Sequence, residues 1–541
     1  MASKVTSAGC GRGGGKRAAK KRRRRQFSAE ERRVRRRLEE AVAVNVAGPV
    51  IGRANISYEL AERSRAVTHG GMGAVVGVVG RVGLAGEIDA SLKLLKIHRP
   101  YMESDHVLNI AFNALCGGVT LDDIEARRSD LVFLDGIGAA SLPDPTTAGD
   151  FCRRFDPDAV MALQEAVNRA RLKVWAAQPA EFFAQTAVIE ADASIVATDA
   201  VTKGGIDIAY NGVWGYSSLV VNLANTKEPL YLHQSGANRP SHEGSAPLFD
   251  RSIALVRTAG FSEVLLRGDT DFALTANFDR WDGDGIGFVF GYDARPNLVA
   301  AAAEVDNEMY HQLLCRAERA VKTEPRTKPA RIKDDIVRAR GYKKIATAAE
   351  DVCEFPYRPR SCKQHYRVIA LRKDLSVERG ENVLFHEHRW FFYITNLPAA
   401  TTADEVVMAA RRRCDQENLI AQLKGQVRAL HAPLNTLMAN RAYMVMAALA
   451  WSLKAWCALL LPISPRWKTA HHEQRRQLLA MEFRTFRRAF IDIPCQIVLG
   501  ARQVRWRILA WNPWLAAFFR LLDALEPPAD TFINRSNNSG H

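Results

Sequence analysis

Apolar positions show no regular spacing until about residue 50, where a period near 3.6 sets in and holds to about residue 180. Val107, Leu108, Ala111, Phe112 and Leu115 mark one such helix, which Ser104 can cap and Gly117-Gly118 ends. Thr120 with Asp123 and Thr147 with Asp150 read as capping boxes. The second follows the turn Pro143-Asp144-Pro145 and opens a long helical stretch toward Ala177. Short helices joined by tight turns suit a helix-turn-helix DNA reader and an ordinary helical bundle alike. Residues 46–180 are therefore expected to be helical, with DNA binding as their assigned role.

After residue 185 the period falls to 2. The expected strands are Ala187 to Ala193, Gly215 to Leu223, Pro229 to His233, Val264 to Arg267 and Gly287 to Phe290, with a helix from about Ala246 to Thr258 before the fourth. Three strands, a helix and further strands make a mixed α/β plan, covering residues 181–300. Residues 301–395 hold polar helical sequence and then β-rich runs, Tyr366 to Leu371 and Trp390 to Thr395, and read as an insertion. Helical patterning returns in 396–462 and continues through a helical C-terminal region, 463–541, whose final dozen residues look frayed. Ala442 to Leu461 reaches membrane-spanning length, yet Lys454 interrupts it and Pro462 ends it, so a buried core helix is expected and no membrane partner.

Charge adds a second element to this picture. Of the formal net charge of +16, +11 falls in the first 40 residues, so residues 1–45 read as a basic disordered arm, in which the charges from Ser28 to Glu40 could continue on a helix. Lys20, Lys21, Arg22, Arg23, Arg24 and Arg25 would release counterions from a DNA backbone and bind it without sequence choice. The competing account is a solvated tail with no defined partner. The opening segment lacks the apolar stretch of a secretory signal, and the nine cysteines form no C-x-x-C pair, so a cytoplasmic protein without structural zinc is expected. No glycine-rich phosphate loop and no small-molecule substrate are indicated.

Candidate chemistry rests on carboxylates, because hard divalent cations take oxygen ligands from several elements at once. Asp192 lies in an apolar strand, where a carboxylate is costly unless it is paired or metal-bound. Glu190 shares its strand face and Asp199 lies just beyond, so both stay open as alternatives. Asp269 closes the fourth strand, ahead of Asp271; a helix N-cap is the plain alternative. Arg413, Glu417 and Lys424 fall on one helical face while Leu419 and Leu423 point away, although a solvated i,i+4 ion pair would give the same spacing.

Arg413, Glu417 and Lys424 resemble the third block of DDE transposases whose signature runs Y-x2-R-x3-E-x6-K, with Ala410 at the tyrosine position. Most of the chain is similar to the insertion-sequence group numbered thirteen-eighty. The blocks that carry this are Cys116-Gly117-Gly118-Val119-Thr120-Leu121-Asp122-Asp123-Ile124, Pro143-Asp144-Pro145-Thr146-Thr147, Glu190-Ala191-Asp192, Leu266-Arg267-Gly268-Asp269 and Trp390-Phe391-Phe392-Tyr393-Ile394-Thr395-Asn396. The resemblance implies an RNase H-like mixed-sheet core with a β-rich insertion, flanked by helical N- and C-terminal regions. It also implies two Mg²⁺ ions, or Mn²⁺, on Asp192, Asp269 and Glu417, with Arg413 and Lys424 on DNA phosphate. The expected partners are double-stranded DNA, as terminal inverted repeats and target, and further copies of the chain, on the nucleoid. A nuclease of the same fold and an inactive, domesticated DNA-binding protein are the rival readings.

Overall fold

The computed structural model describes residues 12–43, 65–98, 100–313, 332–379, 382–500 and 503–525. The expected disordered arm is corrected over most of its length, because Arg12–Ala43 forms one helix, α1. Ala, Arg, Lys and Glu are good helix formers, and pairs such as Arg35–Glu31 at 2.9 Å brace successive turns. The helix is held at Arg23, which meets Asp523 at 3.0 Å and lies 4.6 Å over the Phe519 ring, while Phe27 packs on that ring at 5.1 Å. Residues 1–11, 44 and 45 of the expected arm lie outside the described residues, as does the chain end.

Short helices fill the next region and end in the long α2, Pro157–Trp175. The caps differ from the expected ones: Asp123, not Thr120, immediately precedes the helix Ile124–Arg128, and its carboxylate accepts the Thr120 amide at 2.9 Å. Ser104 sits inside a helix that starts at Glu103, and its amide and hydroxyl both donate to Asp89, at 2.8 and 2.9 Å. Asp144, not Thr147, opens the helix Pro145–Cys152: it accepts the Thr147 amide at 2.9 Å, with Pro145 in the first helical position where a missing N–H costs nothing.

The sheet begins with β1 (Ala187–Ala197), β2 (Trp214–Leu223) and β3 (Glu228–Gly236), joined as an antiparallel meander. Helix α3 (Ser245–Ala259) then crosses the sheet, packing Leu248, Phe249, Ile253 and Val256 inward, and stops at Gly260, whose φ of 113° suits glycine. The chain returns as β4 (Val264–Gly268), parallel to β1, and β5 (Gly287–Tyr292), parallel to β4. The resulting order, β3-β2-β1-β4-β5 with β2 alone running against the other four, is the RNase H-like arrangement.

What reads as an insertion is an extension of this same sheet. Three long strands, β6 (Lys343–Tyr357), β7 (Tyr366–Arg379) and β8 (Asn382–Thr395), are added antiparallel at the β5 edge through β8, so their inner halves share its core. Helices α4 (Ala403–Arg411) and α5 (Cys414–Gly425) follow. Next comes α6 (Leu437–Leu459), long and apolar enough to cross a membrane but with its apolar window wholly buried, between the N-terminal helices and β3. Its Lys454 ammonium donates to the Leu479 carbonyl at 2.8 Å and lies 3.9 Å over Trp451. The region expected to be helical after 463 also contains a hairpin, β9 (Cys495–Gly500) and β10 (Gln503–Ile508), which pairs with Ala66–Val67, before α7 (Leu515–Leu525).

Candidate active site

Each of the three acids stands on a different element. Asp192 lies midway along β1, Asp269 immediately follows β4, and Glu417 is in the first turn of α5. The Asp269 carboxylate accepts the Asp271 amide at 3.0 Å, so it does cap a short 3₁₀ turn, and its other oxygen lies 2.8 Å from the Arg413 guanidinium. Arg413 also reaches Glu417, at 3.7 Å. Burial pushes the Asp192 carboxyl up to about 6; Arg413 opposes this, and the negative charges of Asp269 and Glu417 add to it. Thus one guanidinium faces three carboxylates, and burial, which lowers the Arg413 pKa, is outweighed by Asp269 and Asp192, which raise it.

Several contacts that the sequence pattern did not single out build this corner. Gln416, fully buried beside Glu417, donates to the Val220 carbonyl of β2 at 3.2 Å, and Leu419 and Leu423 are buried on the same side of α5, away from Glu417. At the end of α4, Arg411 binds both oxygens of Glu350 at 2.7 Å and so ties that helix to β6. Gly291 on β5 leaves room for the turn after β4, since a Cβ there would stand 3.0 Å from the Thr270 nitrogen. Beside the acids opens a cleft of about 720 Å³, lined by Asp269, Glu417, Arg413, Tyr292, Trp390 and Tyr393 among others.

Among the described residues no three His, Cys, Asp or Glu side chains are already gathered as a metal cage. The donor set nonetheless fits divalent cations: carboxylate oxygens from three elements gather around one guanidinium, and the burial that raises the Asp192 pKa is a cost that a bound cation would offset.

The profile of the family described as "Transposase DDE domain group 1" matches residues 61–529. The chain belongs to this family of DNA transposases. Its members use divalent metal ions and act on DNA by cleavage and strand transfer. Among solved structures, a piggyBac transposase synaptic complex with hairpin DNA aligns over 79% of this transposase and 84% of that chain, at 9% identity and a TM-score of 0.33, too remote to carry any argument. No curated protein matches the chain.

The remaining candidates of the transposase fall elsewhere. Glu190 is completely buried and paired with Arg267 at 2.9 Å and with Asn222 at 3.0 Å, so it faces partners and not the cleft. Asp271 is exposed and accepts from the Ser241 hydroxyl. Asp199 lines a separate cleft with Val201 and Trp214. Lys424 lies near the far end of α5, and burial alone lowers its ammonium pKa. On α1, Arg22 and Arg25 are exposed and Arg23 is engaged by Asp523; the side chains of Lys20, Lys21 and Arg24 lie outside the described residues.

The buried acid has a consequence for stability. Because the folded Asp192 holds its proton up to about 6 against an ordinary 3.8, its contribution is full below pH ~4 and is lost as pH rises through ~6. In EDTA at pH 7, Asp192→Asn is therefore expected to melt above the wild type, with the difference shrinking toward pH 4. Thermal melts across this range test it, and a variant less stable than wild type at pH 7 would contradict it.

Proposed function

We propose that this transposase is an insertion-sequence enzyme of the thirteen-eighty type, which cuts at the terminal inverted repeats of its element and joins the freed 3′ ends to target DNA. The observation that carries the proposal is the convergence of Asp192, Asp269 and Glu417 on Arg413. The Arg413, Glu417 and Lys424 spacing and the ordered sequence blocks support the group; Ala410, in place of the tyrosine, departs from its signature.

On this reading Asp192, Asp269 and Glu417 are the catalytic ligands. Two Mg²⁺ ions, or Mn²⁺, held there supply activation of the attacking oxygen and stabilisation of the leaving one. Arg413 serves the acids as counterion and is freed toward the scissile phosphate, while Lys424 contacts DNA further along α5. Basic residues of α1 hold the duplex backbone, as Arg22 and Arg25 are exposed to do, and residues 46–180 take part in recognising the ends. The working form is a homo-oligomer assembled on DNA in the cytoplasm, at the nucleoid.

Incubating the purified protein with Mg²⁺, a labelled duplex of the element's own end and a supercoiled plasmid tests the proposal. Labelled ends joined to plasmid are expected. Cut ends without joining would identify a nuclease, and end binding without cutting an inactive domesticated protein.

Arg413→Ala is expected to fold and to slow cleavage by roughly a hundredfold, the scale seen when one donor to developing charge is removed. Lys424→Ala should have a smaller effect, since it stands apart from the acids. Circular dichroism with single-turnover cleavage checks both, and the orientation assigned to α5 fails if both variants unfold.

A further inference from the structure

Arg267, in the middle of the apolar run Val264-Leu265-Leu266-Arg267, is 95% buried yet lines no part of the cleft and meets none of the three acids. Its guanidinium makes two kinds of contact. The Nε donates to the Glu190 carboxylate of β1 at 2.9 Å, and one terminal nitrogen donates to the Ala409 carbonyl, near the end of α4, at 2.6 Å. Glu190 in turn accepts from Asn222 of β2 at 3.0 Å.

The placement of these contacts is what gives them meaning. Glu190 and Arg267 are direct partners in the parallel pairing of β1 with β4. Asp192 is two residues beyond Glu190 and Asp269 two beyond Arg267, so each acid follows one member of the pair by a strand repeat. Ala409 lies eight residues before Glu417, with Arg413 between them. One side chain, itself on the strand that leads to Asp269, therefore joins the strand of Asp192 to the end of α4, the helix that runs directly into α5 and Glu417. A buried ion pair adds little net stability over apolar packing, whereas an arginine fork fixes distances and angles between the groups it joins.

We propose that Arg267, held by Glu190, is a positioning residue that sets the separation of Asp192, Asp269 and Glu417 and so their capacity to bind divalent metal. This rests on the assignment of those acids as metal ligands. Arginine is needed because a single ammonium cannot reach Glu190 and the Ala409 carbonyl in the same forked geometry. In metal sites the groups that orient the ligands change affinity by about 10- to 100-fold when altered.

The experiment measures Mn²⁺ binding by calorimetry on the full chain, together with thermal melting and binding to end DNA, for wild type, Arg267→Lys, Glu190→Gln and Asp192→Asn. Arg267→Lys and Glu190→Gln are expected to melt as folded proteins and bind DNA like wild type, while Mn²⁺ affinity falls by about tenfold or more. In cleavage, kcat should fall with KM for DNA unchanged. Wild-type Mn²⁺ affinity in folded Arg267→Lys and Glu190→Gln overturns the positioning role, and so does loss of the fold in both, which would make the pair a stability element only. Should Asp192→Asn bind Mn²⁺ as wild type does, the assignment of the acids fails instead, and that outcome is separate from the other two.

Discussion

Asp192→Asn, Asp269→Asn and Glu417→Gln are each expected to abolish strand cleavage and transfer while leaving binding to element-end DNA intact. Each swap keeps the shape of the side chain and removes its charge, and an amide is a poor ligand for Mg²⁺. Stabilisation of transition-state charge by bound metal is worth several kcal/mol, so losing it should slow the reaction by roughly a thousandfold or more. Asp199→Asn and Asp271→Asn serve as controls, since Asp199 lines another cleft and Asp271 is exposed and bound to Ser241. Both should keep most of the activity. Cleavage assays in Mg²⁺ on the five variants decide the matter: full activity in Asp269→Asn with none in Asp271→Asn would show that the wrong carboxylate was assigned.

Much of the core around these acids could be read from the chain because alternation and amphipathic spacing are local properties. The strands through Asp192 and up to Asp269, and the helix between them, lie where the apolar pattern put them, lengthened by a few residues at their ends. β6 escaped detection for a physical reason. Lys343–Tyr357 is interrupted by charged residues and Pro356, and it becomes a strand by pairing along its length with β7. The α1 helix was legible only from Ser28 to Glu40, since the dense run of arginine before it suggests self-repulsion until Asp523 and Phe519 are placed beside Arg23 and Phe27. Helix caps shifted by a few residues because Asp, Ser and Thr compete for the same amides, and Asp144 with Pro145 is the better start. In the site itself, spacing alone gave the Arg413–Glu417 pair but not the approach of Asp269 to Arg413, which joins residues far apart in the chain. The partner of Glu190 was beyond reach for the same reason: whether a buried carboxylate is a ligand or one half of a buried ion pair depends on what a distant strand brings to it, here Arg267.

Glu228→Ala is expected to cost about 3–5 kcal/mol and to disable the whole protein, DNA binding included. The Glu228 carboxylate, fully buried at the start of β3, accepts from the Arg171 guanidinium at 3.0 Å and from the indole N–H groups of Trp175 and Trp456 at 3.1 and 2.7 Å. These donors come from α2 and α6, so one side chain joins the N-terminal helices, the central buried helix and the edge of the catalytic sheet. Removing it strands a buried guanidinium and two indole N–H groups where water does not reach, a loss that is a large share of a domain's usual ~5–15 kcal/mol. Because the three elements share this node, the helical region and the sheet should unfold together. Denaturation of Glu228→Ala followed by circular dichroism and by tryptophan fluorescence should thus show one coincident transition at much lower denaturant than wild type. The double variant Glu228→Met with Arg171→Met, which removes the charge and its counterion together, should recover part of the loss, because no unpaired charge is left behind. A single variant within ~1 kcal/mol of wild type, or separate transitions for the two probes, would mean that the helical layer and the catalytic sheet do not depend on this carboxylate for their union.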